Sequence, residues 1–241
     1  MHSLFISDLH LSSEHPHSSQ LFMHFAELCA PQAESLYILG DLFEYWAGDD
    51  DLDTEFHQHI TNTLRALAVQ GTRVFIMHGN RDFLMDEKLA AACHATLLPE
   101  PTLLDLYGTP TLITHGDALC TDDAAYQQFR AMVRSEDWRT QFLALPLAQR
   151  KAQIEQLRKQ SEHSKRVKAM DIMDVNTAAV HELLRQHHYP RLIHGHTHRL
   201  AKHLHHVDGH SCERWVLGDW ENRANALRVE GNSVCWEAIP S

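Results

Sequence analysis

Leu36-Tyr37-Ile38-Leu39-Gly40-Asp41 is the stretch on which the fold turns. Four apolar residues read as a buried strand. The glycine allows a sharp turn and a close backbone approach. The carboxylate then stands at the C-terminal edge of the strand, where open α/β sheets bind ligands. Four other stretches repeat the design. Leu4-Phe5-Ile6 leads to Asp8-Leu9-His10, and Val74-Phe75-Ile76-Met77 to Gly79-Asn80-Arg81-Asp82. Leu112-Ile113 leads to His115-Gly116-Asp117, and Leu192-Ile193 to His194-Gly195-His196-Thr197-His198. Only a fold that aligns strand ends can gather such distant groups. A central carboxylate ringed by histidines, an amide and a second carboxylate suits two divalent cations. Asp8 and His10, two apart in an extended segment, would point the same way and reach one metal.

The 241 residues suffice for one domain with an insertion. The longest apolar runs are too short to span a bilayer. The N-terminus lacks a basic segment, and Asp8 and His10 interrupt its apolar stretch, so it does not read as a signal peptide. The five cysteines are scattered without a CxxC and suit a reducing compartment. A cytoplasmic protein is therefore expected. The net charge of −11 is unevenly spread: residues 1–127 balance at −15, residues 128–170 at +6, and residues 171–241 at −2. An acidic body with one basic segment suggests a metal-binding core beside a surface for an anionic partner, or simply a solvated helical face.

Read in order, a helix capped by Ser18 or Ser19 runs to Cys29, and another runs from Thr54 to Gly71. Asp49-Asp50-Asp51 lacks EF-hand spacing and reads as a solvated loop. Residues 84–95 read as a short helix, and 103–114 as a hairpin that brings up His115. From Asp122 to Ala179 strand signals vanish. This segment reads as a helical cap inserted into a core of residues 1–121 and 180–241. Its apolar cluster, Trp138, Phe142, Leu143, Leu145 and Leu147 around Pro146, either lines a cleft or packs a helix pair. After a helix at 177–188 and a strand at 191–194, strands follow at 214–218, 225–229 and 233–239. The last two read as a hairpin on a second sheet. His203, His205, His206 and His210 lie among no carboxylates in a regular frame and read as an exposed loop.

Taken together, the five polar blocks, in this order over residues 8–198, resemble the calcineurin-like metallophosphoesterases. The resemblance implies an α/β fold: a four-layer α/β/β/α sandwich around a dinuclear centre. It implies that Asp8, His10, Asp41 and His198 hold one metal, and that Asp41, Asn80, His115 and His196 hold the other. Asp41 would bridge them. With oxygen and imidazole donors and no thiolate, such a set favours Mn²⁺, Fe, Zn²⁺ or Mg²⁺. Many members carry a histidine where this chain has Arg81, and that histidine is thought to protonate an alcohol leaving group. Arginine has no proton to release and instead clamps phosphate oxygens. Arg81 thus points to a good leaving group, such as the phosphate of a phosphoanhydride.

A narrower resemblance covers essentially the whole chain. Leu36 to Glu44, His78-Gly79-Asn80-Arg81-Asp82-Phe83-Leu84, His115 to Asp123, Ile172-Met173-Asp174-Val175-Asn176 and Ile193 to His198 are similar to the UDP-2,3-diacylglucosamine pyrophosphohydrolases of the lipid A pathway. That family implies cleavage of UDP-2,3-diacylglucosamine to UMP and 2,3-diacylglucosamine 1-phosphate, called lipid X, by a hydroxide activated between two Mn²⁺ ions. It implies peripheral attachment to the inner face of the inner membrane. Its catalytic positions fall on Asp41, Asn80, Arg81 and His115. Its substrate positions fall on Asn80, Arg81, Asp123, Ser161, Lys168 and His196, with Lys165 at a position that varies in the family. The basic run Lys159 to Lys168 suits a diphosphate or anionic headgroups. A monomer is expected, without a nucleic-acid partner, since a nuclease calls for a longer basic groove. The alternatives are another dinuclear nucleotide pyrophosphatase or phosphodiesterase, and a non-catalytic module that kept the fold.

Overall fold

The computed structural model describes residues 1–167, 174–221 and 224–239, with side chains of the sixth helix described through residue 159. Two sheets face each other. The first has six strands: β1 (Ser3–Ile6), β2 (Ser35–Leu39), β3 (Arg73–Met77), β4 (Ala95–Leu98), β10 (Asn225–Glu230) and β11 (Ser233–Ala238), in the order β11-β10-β1-β2-β3-β4. The second has five: β5 (Thr102–Leu106), β6 (Thr109–Thr114), β7 (Arg191–His194), β8 (Ala201–Val207) and β9 (His210–Val216), in the order β5-β6-β7-β9-β8. The strands that deliver the polar turns run parallel, β1 to β2 to β3 in one sheet and β6 to β7 in the other. Their C-terminal ends therefore lie side by side.

Alternation along each strand sorts the core into layers. Phe5, Tyr37 and Leu39 of the first sheet meet Ile113, Ile193 and Trp215 of the second. Phe5, Tyr37 and Phe75 stack across three strands at 4.6 and 4.7 Å between ring centroids. The opposite face of the first sheet, through Leu4, Ile6, Leu36 and Ile38, packs on α1 (Pro16–Leu28), α2 (Glu55–Val69) and α3 (Glu87–Cys93). Leu112 and Leu192 of the second sheet pack on Val180 and Leu184 of α7 (Thr177–Gln186). The result is the four-layer α/β/β/α arrangement expected. Three further helices, α4 (Ala124–Val133), α5 (Glu136–Leu143) and α6 (Leu147–Val167), lie between β6 and α7 in the chain.

Several local expectations are corrected. The terminal hairpin β10–β11 joins the first sheet, because Ser3, Leu4 and Phe5 pair antiparallel with β10. The histidine-rich stretch is no loop. His203, His205 and His206 lie in β8, paired with β9 from Ala201↔Val216 to Val207↔His210. Its alternation escapes a hydrophobicity pattern because this edge strand is largely exposed. The helix expected at 84–95 is shorter, and β4 follows it.

The acidic run is no solvated loop either. Asp49 accepts the Trp46 indole N–H at 2.9 Å and backbone N–H groups of Asp86 and Leu89 at 3.1 and 2.9 Å. Asp51 is buried and pairs with Lys151 Nζ at 2.6 Å. Arg150, 1% exposed, donates to the Ala47 and Leu145 carbonyls and pairs with Asp50. The run thus anchors α6 to the first sheet's helical layer. Arg150→Ala strips two carbonyls of a charged donor, a loss of about 2–3 kcal/mol. In a chain of this size that lowers Tm by roughly 4–12 °C. Thermal unfolding checks it; an unshifted Tm would make the anchor incidental.

Candidate metal centre and substrate cleft

Backbone bonds carry strand pairing beyond the strands themselves. Asp8 N–H donates to Gly40 O at 3.1 Å, and His10 N–H to Asp41 O at 3.0 Å. Gly195 N–H donates to His115 O at 2.9 Å. The polar turns of each sheet are thereby held in register at one edge. The conformation differs from the extended one expected for Asp8 and His10. Asp8, His10, Asp41, His196 and His198 have φ of 55°, 51°, 52°, 67° and 57°. Five non-glycine residues in the left-handed region are costly, of order 1–3 kcal/mol each. Residues two apart converge here because that strained geometry repeats, not because the segment is extended. The close packing leaves no room for side chains at two glycines. A Cβ on Gly79 would come within 2.1 Å of Asp41 Oδ1, and one on Gly195 within 2.3 Å of Asp8 Oδ2.

Two groups of ligand atoms result. Asp8, His10 and His198 converge within 4.8 Å of one another, as do Asp8, Asp41 and His115. Asp41 Oδ2 lies 4.0 Å from His10 Nε2 and 3.8 Å from His115 Nε2, between the two groups. Asn80 Oδ1 is 3.0 Å from His115 Nε2. The His196 ring sits edge-on to His115 at 5.1 Å. All seven residues expected to bind metal are thus brought to one place.

The donor set fits hard or borderline divalent cations, being oxygen and nitrogen throughout. Three histidines have an oxygen behind Nδ1, in a hydrogen bond for His115 and at ion-pair distance for His10 and His198, which turns Nε2 toward the site. His115 Nδ1 donates to Leu39 O at 2.9 Å. His10 Nδ1 lies 3.1 Å from Glu44 Oε2, and His198 Nδ1 3.1 Å from Asp219 Oδ2. Asp8 Oδ2 is satisfied by Ser7 Oγ and by His196 N–H at 2.9 Å, while the buried Oδ1 has no hydrogen bond and lies 3.2 Å from His198 Nε2. An orphaned carboxylate oxygen at this depth is costly unless a cation meets it.

The electrostatics agree. Burial would lower His115 and His198, but surrounding carboxylates outweigh it and push them up to about 9 and about 10. Those protons stand where positive charge is wanted, and cation binding releases them. Burial, seconded by His115, brings His196 down to about 4, leaving a neutral ring. Asp82 accepts N–H bonds from Gly79 and Leu42, both at 2.8 Å, and binds the two turns together. Burial and the Asp41 carboxylate push it up to about 7.

A second layer ties the α4 helix to this centre. Glu100 Oε1 accepts His115 N–H at 2.8 Å, and its Oε2 accepts Arg130 Nη2 at 3.0 Å. Arg134 Nη2 donates to Gly79 O at 2.9 Å, beside Asn80. Tyr126 Oη donates to the buried Asp117 at 2.6 Å. Burial raises Asp117, but His115, Arg134 and Arg130 prevail and hold it well below the usual range.

Next to the centre lies an apolar cavity of about 300 Å³, lined by Trp46, Phe83, Phe129, Trp138, Phe142 and Leu157. Glu44, Asn80, Arg81 and Arg158 line both this cavity and the one holding His10, Asp41, His196 and His198. Glu44 Oε1 accepts Arg158 Nη2 at 2.7 Å and lies 3.4 Å from Arg81 Nη1. Burial pushes Glu44 up, but His10, Arg81 and Arg158 bring it down to about 2.

Of the substrate positions, Asn80 and Arg81 are at this junction, and His196 lines the cavity that holds His10, Asp41 and His198. Asp123 caps α4 by accepting Tyr126 N–H at 3.1 Å. Ser161 and Lys165 lie in α6 where side chains are not described, and Lys168 lies outside the described residues. Glu44, Arg158, Asp219 and Asp82 were not singled out from sequence. Asp219 had a signal: it follows the short apolar run Trp215-Val216-Leu217 at the end of β9 and then Gly218, the same apolar-Gly-Asp pattern as Asp41. Arg158 had none, since nothing local marks which helical arginine faces the core.

Residues 1–200 match the family Calcineurin-like phosphoesterase. The UDP-2,3-diacylglucosamine hydrolase of Aromatoleum aromaticum is 54% identical over 231 residues, 96% of this chain and 94% of that one. The protein of that name from Pseudomonas aeruginosa strain PAO1 is 46% identical over 232 residues, 96% of each chain. That from Pasteurella multocida is 46% identical over 225 residues, covering 93% and 92%. Among solved structures, an archaeal phosphodiesterase superposes with a TM-score of 0.50 at 11% identity, over 99% of this chain and 100% of that one, a likeness of fold. With metal-competent strand ends, the four-layer sandwich and near full-length relatives in agreement, the chain belongs to the calcineurin-like phosphoesterases and, within them, to the UDP-2,3-diacylglucosamine hydrolase family.

Proposed function

We propose that this protein hydrolyses the pyrophosphate bond of UDP-2,3-diacylglucosamine, giving UMP and 2,3-diacylglucosamine 1-phosphate. The observation that carries it is the junction of an apolar cleft with a metal-competent cavity at Arg81 and Arg158. An acylated sugar phosphate needs that pairing, and a soluble dinucleotide does not. Two Mn²⁺ ions are proposed, one on Asp8, His10, Asp41 and His198, the other on Asp41, Asn80, His115 and His196. When bound, such ions polarise phosphoryl oxygens and lower the pKa of water.

The chain's own groups supply the rest. Arg81 and Arg158 offer planar donor forks to the diphosphate oxygens, and Glu44 holds both ready. Neither guanidinium has a proton to give, which suits a phosphate leaving group. Asn80 and His196 place an amide and a neutral imidazole beside the reacting phosphoryl group. The aromatic wall shields the site from water and strengthens each of these interactions. Segment 122–179 is proposed as the cap, with Asp123, Ser161, Lys165 and Lys168 contacting the headgroup. Membrane attachment is proposed through exposed apolar groups such as Met132 and Leu157 beside basic ones. Among the described residues no helix is long and apolar enough to cross a membrane.

The test compares catalytic efficiency on the lipid nucleotide and on a small activated phosphodiester. Ser161→Ala and Lys168→Ala should lower the first at least tenfold more than the second. Equal losses would favour a general phosphodiesterase. Trp138 and Phe142 stack at 4.5 Å, line the cleft and also pack on the main core, so replacing either should lower both Tm and lipid turnover.

A further inference from the structure

The Gly195-His196-Thr197-His198 turn is strained. Thr197 N–H donates to Gly195 O at 2.8 Å, two residues back, and His196 between them has φ of 67°. A γ-turn with a positive central φ is the rare, strained form. Something must hold the Gly195 carbonyl inside it. His194 Nδ1 lies 2.9 Å from that oxygen, and only a protonated Nδ1 can bond to a carbonyl.

The proton's location is set from behind. Arg214 Nη1 lies 3.0 Å from His194 Nε2. Arginine has donors and no acceptor. His194 Nε2 must therefore be bare, which places its one proton on Nδ1. The other side of Arg214 is constrained in the same way. Its Nε donates to His205 Nε2 at 3.0 Å, so the His205 proton sits on Nδ1, 3.2 Å from His181 Nε2. His194 is fully buried and Arg214 only 7% exposed. The His194 ring also lies against the turn of His115, since a Cβ on Gly116 would approach its Nδ1 to 2.8 Å.

We infer that Arg214 is a positioning residue: it locks His194 in the Nδ1–H tautomer, which fixes the Gly195 carbonyl and thereby the strained turn that presents His196 and His198. His205, from the histidine-rich strand β8, braces Arg214 with His181 behind it. This gives one of the four clustered histidines a role and assigns that stretch to support rather than to a second metal site, because the arginine's positive charge sits where a cation would have to bind. The inference rests on the metal-centre reading but not on the substrate.

Two measurements test it. In metal-free protein carrying ¹⁵N-labelled histidine, assigned through side-chain carbons, long-range ¹H–¹⁵N spectra should show His194 protonated at Nδ1, the less common tautomer of a free histidine side chain. That result needs no variant to fold. A proton on Nε2 overturns the proposal. Mn²⁺ titration is the second. Arg214→Met keeps bulk and removes both donors. It should shift His194 toward Nε2–H and weaken cation binding by roughly 10-fold, the low end of what losing a ligand's direct partner costs, because Arg214 acts through His194 and the Gly195 carbonyl. Arg214→Lys, which retains a donor toward His194, should recover the tautomer and much of the affinity. Unchanged affinity in Arg214→Met refutes the inference. A wild-type protein that binds no divalent cation would instead refute the metal-centre reading.

Discussion

Asp41→Ala is expected to lose both cations and to cut catalytic efficiency by several orders of magnitude. Its Oδ2 lies 4.0 Å from His10 Nε2 and 3.8 Å from His115 Nε2, one histidine from each ligand group. Without it, two divalent charges would repel across a short gap with no shared anion. The fold should survive. Asp41 and Asp82 are both buried, and Asp41 helps push Asp82 up to about 7, so the substitution relieves a repulsion. Asp82 can then bind the Gly79 and Leu42 N–H groups as a plain carboxylate. That relief is offset because the Arg81 N–H and the His115 ring both lose Asp41 as a partner. Metal-free Asp41→Ala should therefore unfold close to metal-free wild type, whereas the metal-supplemented pair should differ far more, because only the wild type gains stability from binding. Elemental analysis still showing two metals per chain would remove Asp41 from the bridging position.

Most of this centre was legible because each ligand follows an apolar strand. The period-2 pattern locates strands, and parallel strands in one sheet end together, so polar groups at their C-terminal ends must meet. Glu44 and Asp219 were harder. Each acts on the rear nitrogen of a histidine, and that relation exists only after the turns bend into left-handed geometry. The acidic run departs from its local pattern for a related reason. Solvation is the default for three consecutive aspartates, and what overrides it, Arg150 and Lys151 arriving from α6, lies a hundred residues away. The histidine strand carries no strand signal because an edge strand buries too little to show alternation. Local pattern reveals what faces a core; it does not reveal which distant charge will neutralise a loop.

Arg81→Ala should leave metal content normal and still lower kcat/KM on the lipid nucleotide by roughly 30–1000-fold, about 2–4 kcal/mol of lost transition-state stabilisation. The two halves of that expectation have separate physical origins. Arg81 supports the centre only through its backbone, whose N–H donates to Asp41 Oδ1 at 2.8 Å, and alanine keeps that bond. The guanidinium instead reaches the junction of the two cavities and lies 3.4 Å from Glu44. Removing it leaves Glu44 still paired with Arg158 at 2.7 Å, so no buried charge is orphaned and stability should change little. The lost donors would otherwise meet charge that builds on the diphosphate as its bridge breaks. Arg81→Lys should recover only part of the rate, because a point charge cannot match two oxygens as a planar fork does. Arg81→His places at this position a group able to release a proton. A gain in phosphomonoester turnover there would fit the view that arginine suits this site to an anhydride. Near wild-type turnover in Arg81→Ala would make the guanidinium structural and move the phosphate clamp to Arg158 alone.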